Sequence, residues 1–155
     1  FGRPGLVGTV TGLVAGLATI TPAAGSVGPV GALIIGVSAS VVCFYAVTLI
    51  RNMLKIDDSL DVFAVHGVGG ILGTLILPFL AAAGPLSPGL GDVSIGQQFW
   101  VQAQGVVAVI AWSVGVTFVI VKAAGLIVSL RVKHEAEVEG LDMHVHGERG
   151  YHGMN

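Results

Sequence analysis

The sequence predicts an all-α membrane protein, folded as a polytopic bundle of transmembrane helices. Hydrophobic residues make up 54% of the 155 residues and charged residues only 10%, whereas a typical soluble domain has about 45–50% apolar and 25% charged residues. The mean hydropathy is +0.89. No Asp, Glu, Lys or Arg occurs between Pro4 and Ile50, a stretch long enough for two membrane spans of about 20 residues each.

Loops rich in proline, glycine or charge divide the first 130 residues into four predicted helices. These run from about Leu6 to Ile20, Val30 to Ile50, Ser59 to Ala82 and Gln97 to Leu130. Pro22 and Pro29 separate the first two, because proline lacks the amide donor and, together with glycine, marks a turn. The fourth is too long for an untilted span at about 1.5 Å per residue, so we expect it to tilt or bend. Residues 131–155 form a polar tail.

Two carboxylates mark the predicted start of helix three. Asp58 is placed as the N-cap residue, and Asp61 follows three residues later, as in a carboxylate version of the capping box. Both face the positive end of the helix dipole. We expect Asp61 to act as a helix-start carboxylate and to pair with Arg3 or Lys55 on the same side of the membrane.

Positive charges predict the orientation of the helices. With four spans, the N-terminal end, the loop between helices two and three and the tail lie on one side of the membrane. Five cations fall on that side, Arg3, Arg51, Lys55, Arg131 and Lys133, and the loops on the other side contain no Lys or Arg. Because cytoplasmic loops carry the excess of positive charge, we expect this side to be cytoplasmic.

Small residues recur at every fourth position in the first three predicted helices. They are Gly8, Gly12 and Gly16 in helix one, Ala32, Gly36 and Ser40 in helix two, and Gly69 and Gly73 in helix three. Small residues at this spacing let another backbone approach closely, which is how membrane helices associate. The pattern therefore predicts a dense helix bundle.

His66 is the most informative residue, because no charged side chain occurs from Val62 to Leu90. An ionisable residue inside a membrane span is costly and marks a functional site by default. Two interpretations remain open from the residues alone. A neutral imidazole can join neighbouring helices by a hydrogen bond, or it can line a pore, where it would bind a small polar permeant or relay a proton.

Several classes of function lack support. The net charge of −2 is too small and too scattered for nucleic-acid binding, which needs a basic patch. A single cysteine, Cys43, cannot form a disulfide framework or a multi-cysteine metal site within one chain. The spans hold no nucleophile–base pair or metal triad, so neither an enzyme nor a cofactor is predicted. In the tail, His144 and His146 could bind a transition metal, but tail histidines are weak evidence for a site.

Three motifs make the chain resemble the C-terminal part of ammonium transporters of the Amt/MEP/Rh superfamily. The densest is DDSLDVFAVHGVGGILG at residues 57–73. The others are GRPGLVG at 2–8, with GLVAGL at 12–17 and ITPA at 20–23, and EGLD at 139–142 followed by His146-Gly-Glu148. The resemblance covers essentially the whole chain.

The resemblance implies a homotrimer in the lipid bilayer, in which each subunit usually has eleven membrane helices and its own narrow hydrophobic pore. Two histidines from different helices share a hydrogen bond along that pore, and His66 matches the second. Val62, Thr11 and Val14 match pore or cytoplasmic-vestibule positions. Such proteins deprotonate ammonium, pass ammonia through the pore and relay the proton along the paired imidazoles.

Only the last four helices of that fold have counterparts here, so this chain supplies one of the two histidines. We expect the missing helices to precede Phe1 in a longer parent or to belong to a separate chain. For the cytoplasmic tail, the resemblance implies packing beneath the trimer and regulation by a PII-type protein. Two alternatives stay open, namely an ammonium sensor or transceptor and a structural membrane-assembly subunit.

Overall fold

The computed structural model describes residues 5–148 and is all-helical over that range. Four helices are long and apolar enough to cross a membrane: α1 (Leu6–Ala23), α2 (Pro29–Met53), α3 (Phe63–Leu80) and α4 (Ile95–Gly125). A short helix, α5 (His134–Glu139), follows in the tail. The predicted fold class, an all-α polytopic membrane protein, is confirmed.

The chain divides into two compact units, residues 1–109 and 110–155. In the first unit, each of α1, α2 and α3 contacts the other two. Their buried residues form three clusters along the bundle. These are Ala23, Ile35, Leu77 and Leu80; then Ala15, Cys43 and Val65; then Ala46, Ile50 and Ala64. The order follows from the alternating direction of the helices, because the end of α1 meets the start of α2 and the end of α3.

Two glycines of α3 allow its backbone to pack directly against α1. A Cβ atom on Gly73 would overlap the carbonyl oxygen of Thr19 and would lie 3.0 Å from Cγ of Pro22. A Cβ atom on Gly69 would lie 2.7 Å from Oγ1 of Thr19 and 3.4 Å from Sγ of Cys43. This pair of glycines therefore makes the close contact that its spacing predicts. By contrast, the three repeated glycines of α1 meet no other group within 4 Å in the part of the chain that the structure describes.

Hydroxyl side chains in the bundle are mostly paired within their own helix. Six of them donate to the carbonyl oxygen four residues earlier, at 2.7–3.2 Å: Thr9, Thr11, Thr21, Ser40, Thr48 and Thr74. In a medium without water each such hydroxyl needs a partner. The back-bond supplies one without drawing on another helix.

The largest departures from the predicted helix ends occur at three places. Helix two continues to Met53 as a π-helical turn, Leu49–Met53. Helix three starts later than Ser59, because Asp61 adopts a left-handed conformation with φ of 56°, which a helix cannot contain. Its first turns, Phe63–Val68, are π-helical. Helix four ends at Gly125 instead of Leu130, and glycine is among the poorest helix formers; turn hydrogen bonds to the carbonyls of residues 123 and 124 follow it.

In the second unit, the described part of the tail contains α5 and a π-helical turn, Asp142–His146. Nε of Arg131 donates a hydrogen bond to Oε1 of Glu137 at 2.9 Å, and this contact holds the pKa of the Glu137 carboxyl below its usual value. His144 lies 3.4 Å from the carboxylate of Glu139. The tail is thus organised by short-range ion pairs. Arg3, and residues 149–155 of the predicted tail, lie outside the described residues.

Candidate functional site

His66 lies in the π-helical turn at the start of α3 and is exposed. Its imidazole makes no hydrogen bond or ion pair with any other residue in the range 5–148. A neutral imidazole offers one donor and one acceptor, so both ring nitrogens are available to a group from outside this chain. The interpretation that His66 joins neighbouring helices by a hydrogen bond therefore gains no support within the bundle of α1, α2 and α3.

The turn around His66 has an inner and an outer side. Ala64 and Val65 are buried, at 0% and 3% exposure, against α1 and α2. Val62 and Phe63 are more than half exposed, and His66 is exposed on the same turn. A π-helical turn is wider than an α-helical one and is often found at functional sites. Burial of Ala64 and Val65 fixes the turn, and this leaves the imidazole on the open side.

Phe63 adds an aromatic surface beside His66. Its ring lies against Gly67, because a Cβ atom at that glycine would come within 2.8 Å of Cδ2 of Phe63. The exposed side of the first turns of α3 therefore consists of an aliphatic side chain, an aromatic ring and one imidazole. This combination is apolar apart from the two ring nitrogens.

The two predicted pore residues on α1 differ in their surroundings. Val14 is half-buried and packs against the cluster that contains Val65, the residue before His66. Thr11 is also half-buried, and its hydroxyl donates to the carbonyl of Val7 at 2.9 Å. The hydroxyl hydrogen of Thr11 is therefore engaged within α1, which leaves only the oxygen lone pairs for another partner.

Asp58 satisfies the free amides at the start of α3. Its carboxylate accepts hydrogen bonds from the backbone N–H groups of Val62, Phe63 and Ala64 at 2.8, 2.9 and 3.3 Å. The next amide, that of Val65, donates to the carbonyl of Asp61 at 2.8 Å. Every amide of the first turn is thus paired before the chain reaches His66, and negative charge lies at the positive end of the helix dipole.

Asp61 pairs with a cation that the sequence did not single out. Nε of Arg51 lies 2.7 Å from Oδ1 of Asp61, so the expected pairing with Lys55 is wrong, and Arg3 lies outside the described residues. The contact is an ion pair without an aligned hydrogen bond, because the Nε–H of Arg51 points to the carbonyl of Asp58 at 3.3 Å. The reciprocal bond of a capping box is absent from this turn, since the Asp61 carboxylate faces Arg51.

Arg51 also donates from Nη2 to the carbonyl of Ser59 at 2.7 Å. The sequence could have indicated this pairing only through the position of Arg51, which lies at the end of helix two, ten residues before Asp61.

No group of three or more His, Cys, Asp and Glu side chains that could hold a metal ion occurs in the described range. The chemistry that this arrangement can perform is therefore that of a single imidazole on an apolar surface.

A model described as the Ammonium Transporter Family matches residues 1–151. The putative ammonium transporter of Methanothermobacter thermautotrophicus is 40% identical over 154 residues, which cover 97% of this chain and 38% of that protein. The ammonium transporter of Aquifex aeolicus is 41% identical over 152 residues, 97% of this chain and 35% of that protein. A solved structure titled "Sensor Amt Protein" is similar with a TM-score of 0.80 and 33% identity, covering 92% of this chain and 35% of that one. The chain spans about a third of the length of these relatives.

Proposed function

Because the chain belongs to the Ammonium Transporter Family, we propose that it forms the C-terminal part of a membrane protein that transports ammonium, with His66 in the conduction path. The observation that carries this proposal is the exposed imidazole of His66. This imidazole has no hydrogen-bond or ion-pair partner among the described residues, and it lies on a face that is otherwise apolar. The pore is completed by helices outside this chain, which supply its other wall and a second histidine.

The physical chemistry of this site favours ammonium over alkali cations. An apolar pore offers no ring of oxygens to replace the water of hydrated Na⁺ or K⁺. Ammonium can instead give up a proton and continue as neutral ammonia. A neutral imidazole both accepts and donates a hydrogen bond, so His66 and a second histidine would guide the ammonia and relay the proton. Val62, Thr11 and Val14 would line the pore or its cytoplasmic vestibule.

The assembly in this proposal is a homotrimer in the lipid bilayer. The N-terminal end of the chain and the tail lie in the cytoplasm, where the tail can meet a PII-type regulatory protein. Charge supports this orientation, because Arg51 and Lys55 precede α3 and Arg131 and Lys133 follow α4, and cytoplasmic loops carry the excess of positive charge. Protease added outside intact cells should leave the tail uncut. Cleavage of the tail in sealed cells would show that the orientation is the opposite of the one proposed.

Replacement of His66 with alanine tests the transport role. The full-length protein that contains this chain would be reconstituted into vesicles, and the flux of ammonium would be compared with that of potassium. H66A should lose selective ammonium flux while the trimer still assembles. The matched control is H146A, which removes an exposed tail imidazole and should leave both fluxes unchanged. Wild-type flux and selectivity in H66A would refute the role of His66.

An ammonium sensor is the second candidate, because the solved structure with a TM-score of 0.80 is titled "Sensor Amt Protein". The curated relatives are named as transporters, which favours the transport proposal. The same vesicle assay separates the two. A sensor would bind ammonium with little flux in the wild-type protein, whereas a transporter would show sustained flux.

A further inference from the structure

Arg51 joins the end of α2 to the start of α3. Its guanidinium lies 2.7 Å from the carboxylate of Asp61 and donates to the backbone carbonyls of Ser59 and Asp58, at 2.7 and 3.3 Å. These three contacts cross a loop that is otherwise exposed. The planar guanidinium of arginine carries several N–H donors in a fixed geometry, which suits it to contact a carboxylate and two carbonyls together.

The residues that Arg51 contacts are those on which the first turn of α3 depends. Asp58 caps the amides of residues 62–64, and the carbonyl of Asp61 accepts the amide of Val65. Asp61 is held at φ 56°, a conformation that a non-glycine residue adopts only where its surroundings favour it. Its carboxylate is 15% exposed and faces Arg51. The ion pair therefore holds the unusual backbone turn from which the helix starts.

A second, apolar contact reinforces this connection. Ile50, the neighbour of Arg51 in the π-helical turn of α2, packs with Ala46 and Ala64 in one buried cluster. Ala64 is fully buried and lies two residues before His66. The π-helical turns of α2 and α3 are thus fixed to each other on a polar side by Arg51 and on an apolar side by Ile50.

We propose that Arg51 is a positioning residue for His66, which acts through Asp58 and Asp61 to set the π-helical turn that carries the imidazole. This inference rests on the proposed transport function. Without the guanidinium, Asp61 loses the charge that holds its backbone conformation, and the first turn of α3 can shift to an α-helical register. The imidazole would then leave the line of the pore. A displacement of a reacting group by about 1 Å can lower the rate of a reaction that depends on its position by about 100-fold.

The test uses the full-length protein that contains this chain, in reconstituted vesicles. The readout is the ratio of ammonium flux to the amount of folded protein in the vesicles, because a smaller folded fraction lowers both and leaves the ratio unchanged. R51Q should lower the ratio by about tenfold to 100-fold. R51K, which keeps a charge opposite Asp61, should recover part of it. K55Q removes a cation from the same loop and should leave the ratio at the wild-type value.

D61N supplies a second variant if R51Q fails to assemble, because it removes the ion pair and keeps both carbonyl contacts of Arg51. It should lower the ratio in the same direction, and faster hydrogen exchange at the amides of residues 62–64 should accompany the change. A wild-type ratio in R51Q and D61N, in a protein that conducts ammonium, would overturn the positioning role alone. Absence of ammonium flux in the wild type would overturn the proposed function and the positioning role with it.

Discussion

Replacement of Gly73 with alanine tests the close approach of α1 and α3. The added methyl group would overlap the carbonyl oxygen of Thr19, and it would also lie 2.9 Å from the carbonyl carbon and 3.0 Å from Cγ of Pro22. An ordinary C···O contact is about 3.3–3.6 Å. The backbone of Thr19 and the ring of Pro22 cannot rotate away as a flexible side chain would, so the two helices must separate.

The expected cost follows from overpacking, which typically destabilises a protein by about 1–3 kcal/mol. We expect a value near 3 kcal/mol, because the methyl group meets backbone and ring atoms. The separation also weakens the contact of Gly69 with Thr19 and Cys43, since a gap of about 0.5–1 Å loses a quarter to a half of each dispersion contact. The matched control is G70A, whose methyl group meets nothing within 4 Å in the described bundle.

The assay is the free energy of unfolding of the full-length protein in detergent, followed for G73A and G70A side by side. Both variants gain the same helix propensity, about 1 kcal/mol for alanine over glycine, so this gain cancels in the comparison. G73A should be less stable than G70A by about 3 kcal/mol. Equal stability of the two variants would refute the close packing of α1 against α3.

Two further predictions concern the ends of the helices and the tail. D58A removes three hydrogen bonds from backbone amides and should lower the free energy of unfolding by about 1–2 kcal/mol. Hydrogen exchange at the amides of residues 62–64 should become faster. The control D57A removes an exposed neighbouring carboxylate and should leave this exchange unchanged. The pKa of Glu137 is lowered, first by its hydrogen bond to Arg131, so the stabilisation of the tail by this pair is present above the usual glutamate pKa and is lost as the pH falls through the lowered value. An NMR titration should give Glu137 a midpoint below that of free glutamate, and R131Q should raise that midpoint, because the hydrogen bond to Arg131 is the first cause of the shift.

The hydrophobic pattern predicted the fold class because it depends on long segments. The α-helical part of α1, Leu6–Ile20, has the predicted bounds, since Pro22 and the following glycines mark its end. The family resemblance, which rested on the motif around His66, is confirmed by the family model and the curated relatives. Long spans and dense motifs are properties of the sequence itself, so they can be recognised without coordinates.

The start of α3 could not be predicted in the same way. Arg51 and Lys55 both lie within ten residues of Asp61 along the chain, and only the folded loop selects Arg51. The π-helical turns have no pattern of their own, because the shift from an i+4 to an i+5 hydrogen bond leaves composition and polarity unchanged. The exposure of His66 likewise depends on which side of the turn Ala64 and Val65 bury. The roles of His66, Val62, Thr11 and Val14 in a pore stay predictions.

The back-bonded hydroxyls bear on how the chain enters the bilayer. Thr9, Thr21 and Ser40 each have a partner as soon as their own helix forms. A helix that leaves the translocation machinery alone therefore exposes no free hydroxyl donor at these positions to the lipid. Helix assembly is therefore not needed to pair these hydroxyls, whereas the buried hydroxyl of Thr19 makes no such bond and lies at the contact between α1 and α3. For the back-bonded hydroxyls, membrane insertion and bundle formation are separable events.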